Sequence, residues 1–261
     1  MTTEYVTSGT SWSVPADWNN SSNSIECVGA GGTGGNNHQG GGSGAAYAKS
    51  TNLTLTPEAS ITIQIGAAVA WTSNNFQSAD RDTYFDGANL AGSTVGAEGG
   101  YSGNQDTPST GGSTANSIGD TKYAGGTGGA RGNDNGGGAG GSAGPDGAGG
   151  AGQVAQTTTG GNGGQGGNGS GGAGGAGGDG GVGAVGSAGT EMGDSKGSGG
   201  GGGGGDNTFD GGAGGLYGSG GGGGGTGGSG GTGVQGLIKI TYTPAVVGGN
   251  PMFFGPGLTI G

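Results

Sequence analysis

The chain has 261 residues, of which 84 are glycine, while only 27% are hydrophobic and 9% charged. Glycine averages about 7% in ordinary proteins, so a conventional apolar core cannot fill this length and cohesion must come largely from the backbone. With 17 acids against 6 bases the net charge is −11, which speaks against nucleic acid as a partner, since Lys and Arg would have to neutralise the phosphates.

No apolar run approaches the ~18 residues of a membrane span. The opening MTTEYVTSGTSW has neither a basic nor an apolar stretch of the kind a secretory signal needs, so synthesis in a cytoplasm is expected. A single cysteine, Cys27, excludes an internal disulfide framework. Glycine- and serine-rich tracts usually behave as flexible coils. Against disorder here stand the alternating apolar segments at both ends and the strict register of the glycines.

In chain order, residues 1–28 contain Trp12-Ser13-Val14-Pro15 and Ser24-Ile25-Glu26-Cys27-Val28. Ala45-Ala46-Tyr47-Ala48 follows, then the alternating runs Leu53-Thr54-Leu55 and Ile61-Thr62-Ile63-Gln64-Ile65. Thr56-Pro57-Glu58-Ala59 between them signals a turn, so 52–65 reads as a β-hairpin. Leu237-Ile238-Lys239-Ile240-Thr241-Tyr242 is a further strand. Each end is too short to be stable alone, so the two are expected to meet in one small sheet. No apolar pattern of period 3.6 occurs, and almost no α-helix is expected.

Between the ends, glycine recurs at every third position from Gly160 to Gly181, in a shifted register from Gly171 to Gly189, and again from Gly212 to Gly236. Period three is that of the polyproline II helix, which makes no internal hydrogen bonds. Its buried N–H and C=O groups must pair with neighbours. Collagen solves this with abundant proline; 7 prolines in the whole chain argue against it. The remaining solution is a bundle of polyglycine helices whose backbones touch. The fold class predicted is therefore mostly irregular and β. An N-terminal β segment with the first glycine tract spans 1–66, the polyglycine bundle 67–236, a closing strand 237–243 and a tail 244–261. The non-glycine interruptions 71–90, 101–123, 153–159, 190–196 and 206–210 are read as its turns.

Motifs that look chemical fare poorly. Gly29-Ala30-Gly31-Gly32-Thr33-Gly34 fits a dinucleotide fingerprint, but such matches arise by chance in this composition, and neither a following helix nor a suitably placed acid is present. The sole histidine, His38, lies in a glycine-asparagine loop and reads as solvated; Cys27 reads as an inert buried thiol. Asp179, Asp206 and Asp210 lack the repeat of a calcium-binding roll. Asp80, Asp82 and Asp86 share one loop and read as a solvated acidic cluster rather than a glycosidase pair. No catalytic residue, metal or cofactor is expected, and the chain reads as non-enzymatic.

Three stretches together carry a family resemblance. They are Thr7 to Pro15 around Trp12; Glu26-Cys27-Val28-Gly29 with Gly42 to Ala48 and Leu53 to Pro57; and the closing Gly233 to Tyr242. They resemble the glycine-rich domain of phage and prophage tail proteins, and the middle is similar to T-even-type tail-fibre adhesins. That resemblance implies polyglycine II helices whose distal loops bind a bacterial outer-membrane protein or surface polysaccharide, on a virion at the fibre tip. The alternative is a non-adhesive structural element of a tail, neck or capsid. An ice-binding bundle is disfavoured, because the outward positions mix Asn, Gln, Ala, Asp, Val and Thr. Long loops rich in aromatics suit adaptable contact surfaces. Trp71, Phe76, Tyr84, Phe85, Tyr101 and Tyr123 are thus the candidate receptor contacts, or else caps of the bundle end. Trp12, Trp18, Met252, Phe253 and Phe254 are candidate anchors for docking to another virion protein. Residues 244–261 do not belong to the family pattern.

Overall fold

The computed structural model describes residues 1–74, 76–167, 171–178 and 181–245; Met252, Phe253 and Phe254 lie outside the described residues. Alternating side chains at the two ends build two antiparallel sheets. In the first, β1 (Thr2–Val6) pairs β9 (Leu237–Tyr242), which pairs β3 (Asn23–Val28), then β4 (Tyr47–Thr51) and β8 (Thr121–Tyr123). The second has the order β2 (Ser11–Ser13), β5 (Ser60–Gln64), β6 (Thr83–Phe85), β7 (Val95–Ala97). No α-helix occurs among the described residues.

Period-two alternation sorts the first sheet into two faces. Ile25, Cys27, Ala48, Ile238, Ile240 and Tyr242 turn toward the second sheet and meet Trp12, Trp18, Ile61, Ile63, Phe85 and Val95 in one core. Val28, Tyr47 and Leu237 turn the other way, onto Ala143, Met192 and the rings of Tyr5, Tyr123 and Tyr217. Glu26 shares that second face. Although buried, it accepts from the Tyr47 hydroxyl at 2.8 Å and lies 3.4 Å from the Lys239 ammonium and 3.9 Å from that of Lys49.

Several expectations are corrected here. The ends do meet in one sheet, where β9 lies between β1 and β3, but a second sheet forms beside it; β6 and β8 come from 71–90 and 101–123, read as turns, and β7 from the stretch between them. The 52–65 hairpin does not form: β4 pairs with β3, and β5 with β2. The intervening backbone finds side chains in place of a strand partner. Asn23 Oδ1 accepts from Leu53 N and its Nδ2 donates to Leu53 O, while Asn20 Oδ1 accepts from Leu55 N. Trp12 and Trp18, read as exposed anchors, are 7% and 5% exposed. Their rings meet edge to face at 5.7 Å, and Phe85 and Tyr242 pack beside them. Both indole N–H groups are satisfied, Trp12 by Glu4 and Trp18 by the Leu53 carbonyl. The segment 1–20 buries both rings because the second sheet closes over it.

Val28 and Ala46 run directly into the glycine body, where tract 136–143 displays the rule. Gly136, Ala139 and Ser142 donate to Gly205, Gly202 and Gly199; Gly137, Gly140 and Ala143 donate to Gln39, Gly42 and Ala45; Gly138 and Gly141 donate to Gln153 and Gly150. Every third residue addresses the same neighbour, as a three-residue turn requires. The carbonyls of the same tract accept from 126–129, 161–164 and 220–223. A tract in this position is surrounded on all sides by backbone.

Tract 199–205 is enclosed in the same manner. It donates to 217–223, 184–187 and 161–164, and accepts from 136–142, 172–178 and 212–215. A Cβ on any residue from Gly199 to Gly205 would come closer than 3.0 Å to a carbonyl oxygen, which is why all seven are glycine. At the margin the requirement relaxes. In 181–189 the N–H groups of Gly183, Ala184, Gly186 and Ser187 bond inward, while Val182 and Val185 stand 59% and 64% exposed.

Three of the stretches read as turns do reverse the chain, at 157–159, 191–195 and 207–208, but the two longest are more than turns. Stretches 71–90 and 101–123 are not simple reversals, since they hold β6, β8 and the paired segment at 109–112. The unbroken spacing from Gly212 to Gly236 is not one helix either; it is cut by turns at 216–218 and 226–227. Glycine tolerates both turn and tract conformations, so the spacing runs through the reversals without marking them.

Gly203→Ala is expected to destabilise by about 3 kcal/mol or more, since its Cβ meets the Ala176 carbonyl with no room to relax. Gly181→Ala, whose Cβ would meet nothing within 4 Å, should stay within about 0.5 kcal/mol of the parent. Chemical denaturation of both variants checks the contrast. Trp12→Ala should cost about 3–5 kcal/mol in the same assay, as a large core ring does, where a docking anchor would cost little.

Candidate recognition surface

Reversals of the tracts gather at two poles. At the sheet pole, turns 145–146, 191–195 and 216–218 pack toward the second face of the five-stranded sheet, where the Tyr5 hydroxyl donates to the Met192 carbonyl at 2.6 Å. At the opposite pole lie turns 36–38, 105–107, 133–135, 157–159, 207–208 and 226–227. Their residues are mostly Asn, Gln, Asp and Thr, which reverse a chain readily because short polar side chains bond their own backbone.

These turns brace one another. Asn37 N donates to Gly228 O and His38 N to Gly225 O, each at 3.0 Å. Asn36 Oδ1 accepts from Gly230 N, and the Thr226 hydroxyl lies 3.4 Å from His38 Nδ1. Thr226 N donates to the Asp134 carbonyl. Arg131 binds Asp106 Oδ1 through Nε at 3.0 Å and Nη2 at 2.9 Å. Beneath the surface Asn135, 2% exposed, donates to Gln156 O and accepts from Asn207 N, both at 2.9 Å, tying three turns together. Six sequence-distant segments thereby become one polar surface on a rigid base.

The aromatics singled out from the sequence are elsewhere. Phe85 is fully buried in the core and Tyr84 is 8% exposed, its hydroxyl held by Gln64 and the Ala88 carbonyl; neither is available to a partner. Tyr123 is half-buried and stacks on Tyr47. Tyr101 is half-buried with its hydroxyl donating to Glu98 at 3.1 Å. Trp71 is half-buried, while Phe76 is the open member at 37%. The core claims the β6 aromatics because Thr83–Phe85 pairs between β5 and β7, which turns Phe85 between the sheets.

Trp71 and Phe76 belong to a strap laid along the flank of tract 98–103, and Arg81 holds it. The guanidinium, fully buried, donates to the carbonyls of Val69, Phe76 and Gly100 and to the hydroxyls of Thr33 and Ser102. Burial lowers its pKa to about 10. The Asp80–Asp86 cluster, expected to be solvated, is divided: Asp82 is 7% exposed and accepts from Gly99 N and Gln77 Nε2. Burial pushes its carboxyl up from 3.8 to about 6; nearby Glu98 and Asp80 add to the rise, and the two hydrogen bonds oppose it.

Sequence reading missed Asn36, Asn37, Asn133, Asp134, Asn135 and Thr226, although 153–159 and 206–210 were recognised as interruptions. The available signal was the pairing of Asn with Asp or Gln at short breaks in the glycine pattern, at 36–39 and 133–135. Cys27 is buried in the core, where desolvation raises its thiol. Among the described residues no group of three or more His, Cys, Asp and Glu is arranged to hold a metal ion, and no helix is long and apolar enough to cross a membrane.

Folded Asp82 keeps its proton to higher pH than the unfolded chain, so its contribution is most favourable below about pH 4 and is lost as pH rises to about 6. Asp82→Asn retains an oxygen for both donors and should flatten stability against pH across that window, as read by denaturation at pH 4, 5, 6 and 7. Asn135→Ala should cost about 1 kcal/mol by removing two hydrogen bonds to part-buried backbone groups, with faster amide exchange at Asn207 as its local signature.

No family model matches the chain, and no curated protein matches it.

Proposed function

We propose that the chain is the receptor-binding adhesin of a phage tail fibre, a non-enzymatic protein of the virion that contacts a bacterial outer-membrane protein or surface polysaccharide. The observation that carries this reading is the separation of poles. Thr2 and Tyr242 pair at one extremity of the five-stranded sheet, whereas six turns from all along the chain converge at the opposite pole. Tracts such as 199–205 admit no side chain, so substitution there is barred, while most turn side chains, the buried Asn135 excepted, face solvent and can vary. A rigid scaffold presenting clustered loops is how binding surfaces are commonly made. The resemblance of the end segments to the glycine-rich domain of phage tail proteins, and of the glycine tracts with their loops to tail-fibre adhesins, supports the same assignment. In this arrangement the sheet pole faces the particle.

The test is adsorption of the labelled, purified protein to a panel of bacterial strains. Saturable binding to some strains is expected. Combining Thr107→Ala, Thr208→Ala and Phe209→Ala, whose side chains are exposed at or beside the turns of that pole, should weaken it at least tenfold while melting changes little. Ser21→Ala, at the sheet pole, should leave it unchanged. A parent protein that is assembled into particles but adsorbs to no strain would sink the adhesin reading and leave a structural virion element.

A further inference from the structure

We infer that the cleft between turns 133–135 and 157–159 is a binding site for an uncharged sugar residue, so that the turn pole reads a neutral polysaccharide rather than a protein. This rests on the adhesin proposal for its biological setting, but not for its chemistry. The cleft is open on its outer side, offers about 500 Å³ and is lined by Gly132, Asn133, Ala155, Gln156, Thr157 and Thr158. That volume falls within the ~300–1,000 Å³ of small-molecule sites, although those are mostly apolar and this one is polar.

The lining selects the ligand class. Asn133 and Gln156 each present an amide oxygen that accepts and an NH₂ that donates, and the hydroxyls of Thr157 and Thr158 do both. A polyhydroxyl ligand offers the same balance of donors and acceptors. No charged side chain lines the cleft, so an ionic ligand would lose hydration with no ion partner in return. The chain's −11 charge further disfavours acidic sugars. No aromatic lines it either, so it lacks the large anchor found at the centre of most protein interfaces. The Ala155 methyl and the Gly132 Cα supply a small apolar floor against which the C–H face of a sugar ring can lie.

The cleft is also preformed. Gly132 N donates to Asn135 O, Gln156 N to Thr159 O and Ala155 N to Ala130 O, so both turns and the wall between them are closed by backbone bonds. The buried Asn135 side chain clamps the Gln156 carbonyl from below. The backbone therefore adds little ordering cost on binding, which matters for the modest affinity of a single sugar, and what remains is the ordering of the exposed Asn133, Gln156, Thr157 and Thr158 side chains.

The deciding experiment titrates the full chain with uncharged di- and trisaccharides built of hexose, deoxyhexose and N-acetylhexosamine units, with sialylated and amine-bearing analogues as controls. It is read by amide chemical shifts and saturation transfer. At least one neutral member should shift amides at 132–133 and 155–158, and Gln156→Ala with Thr158→Ala should weaken it at least fivefold without changing melting, since both side chains are exposed. No shift at these amides with any member, equal or better binding of the charged analogues, or binding that survives the double variant overturns the site. A second arm treats adsorbing cells with periodate or with protease. Adsorption lost to periodate supports the proposal. Adsorption that resists periodate but is lost to protease assigns the pole to a protein; the adhesin reading then stands and the sugar site falls. Cells that never adsorb the chain count against the adhesin reading, and the titration alone decides the cleft.

Discussion

The lateral hydrogen bond between glycine backbones is the constraint on which the rest of this protein depends. An extended helix with three residues per turn cannot satisfy its own N–H and C=O groups. A buried peptide group left unpaired costs about 1–3 kcal/mol, so each interior tract requires a neighbour on every side. Tract 136–143 meets that requirement by donating to three neighbours and accepting from three others. The distance that permits those bonds is also the distance at which a Cβ collides with a carbonyl. Glycine in 199–205 is therefore a steric necessity set by the number of neighbours, and its large entropic cost on folding is offset by the completeness of the pairing.

That requirement divides the molecule into parts that tolerate change and parts that do not. Interior positions where a Cβ would meet a carbonyl, such as all seven of 199–205, accept only glycine, while tract 136–143 still accommodates Ala139, Ser142 and Ala143. Marginal tracts accept a side chain at every third position, as Val182 and Val185 show. The turns accept almost any residue that reverses the chain, provided the bonds under them are kept. Variation is channelled to the poles, and at the sheet pole it is limited again by packing against Tyr5, Tyr47 and Leu237. The opposite pole is left as the region where surface chemistry can be altered without disturbing the scaffold, a physical basis for a recognition surface.

Where apolar material is available, the chain uses it conventionally. Two small sheets enclose Trp12, Trp18, Phe85 and the β-branched residues of β3, β5, β7 and β9 in a single core that anchors one end of the bundle. Buried charge is placed with compensation. Glu26 sits between two ammonium groups and a phenol, and Arg81 donates to carbonyls and hydroxyls, fastening Val69 and Phe76 beside Gly100 and Ser102. Of the three carbonyls around Arg81, that of Gly100 belongs to the glycine tract beside it, and those of Val69 and Phe76 to the covering segment.

By itself the sequence determined the class of structure. Period-three glycine with little proline implies a backbone-bonded bundle, and alternation at 24–28 and 237–242 implies paired strands, because these are local geometric properties of helix and strand. Only the tertiary structure decided which tract neighbours which, since glycine carries no side chain to record its partner and every turn of the helix presents the same backbone. The same absence hid the reversals at 216–218 and 226–227, where glycine spacing continues through the turns. The inward turn of Trp12, Trp18 and Phe85 was equally hidden, because it follows from a second sheet assembled from segments more than seventy residues apart. Asn135 looked like one polar residue among many; what makes it a brace is that packing places the 156–159 and 206–209 turns on either side of its amide.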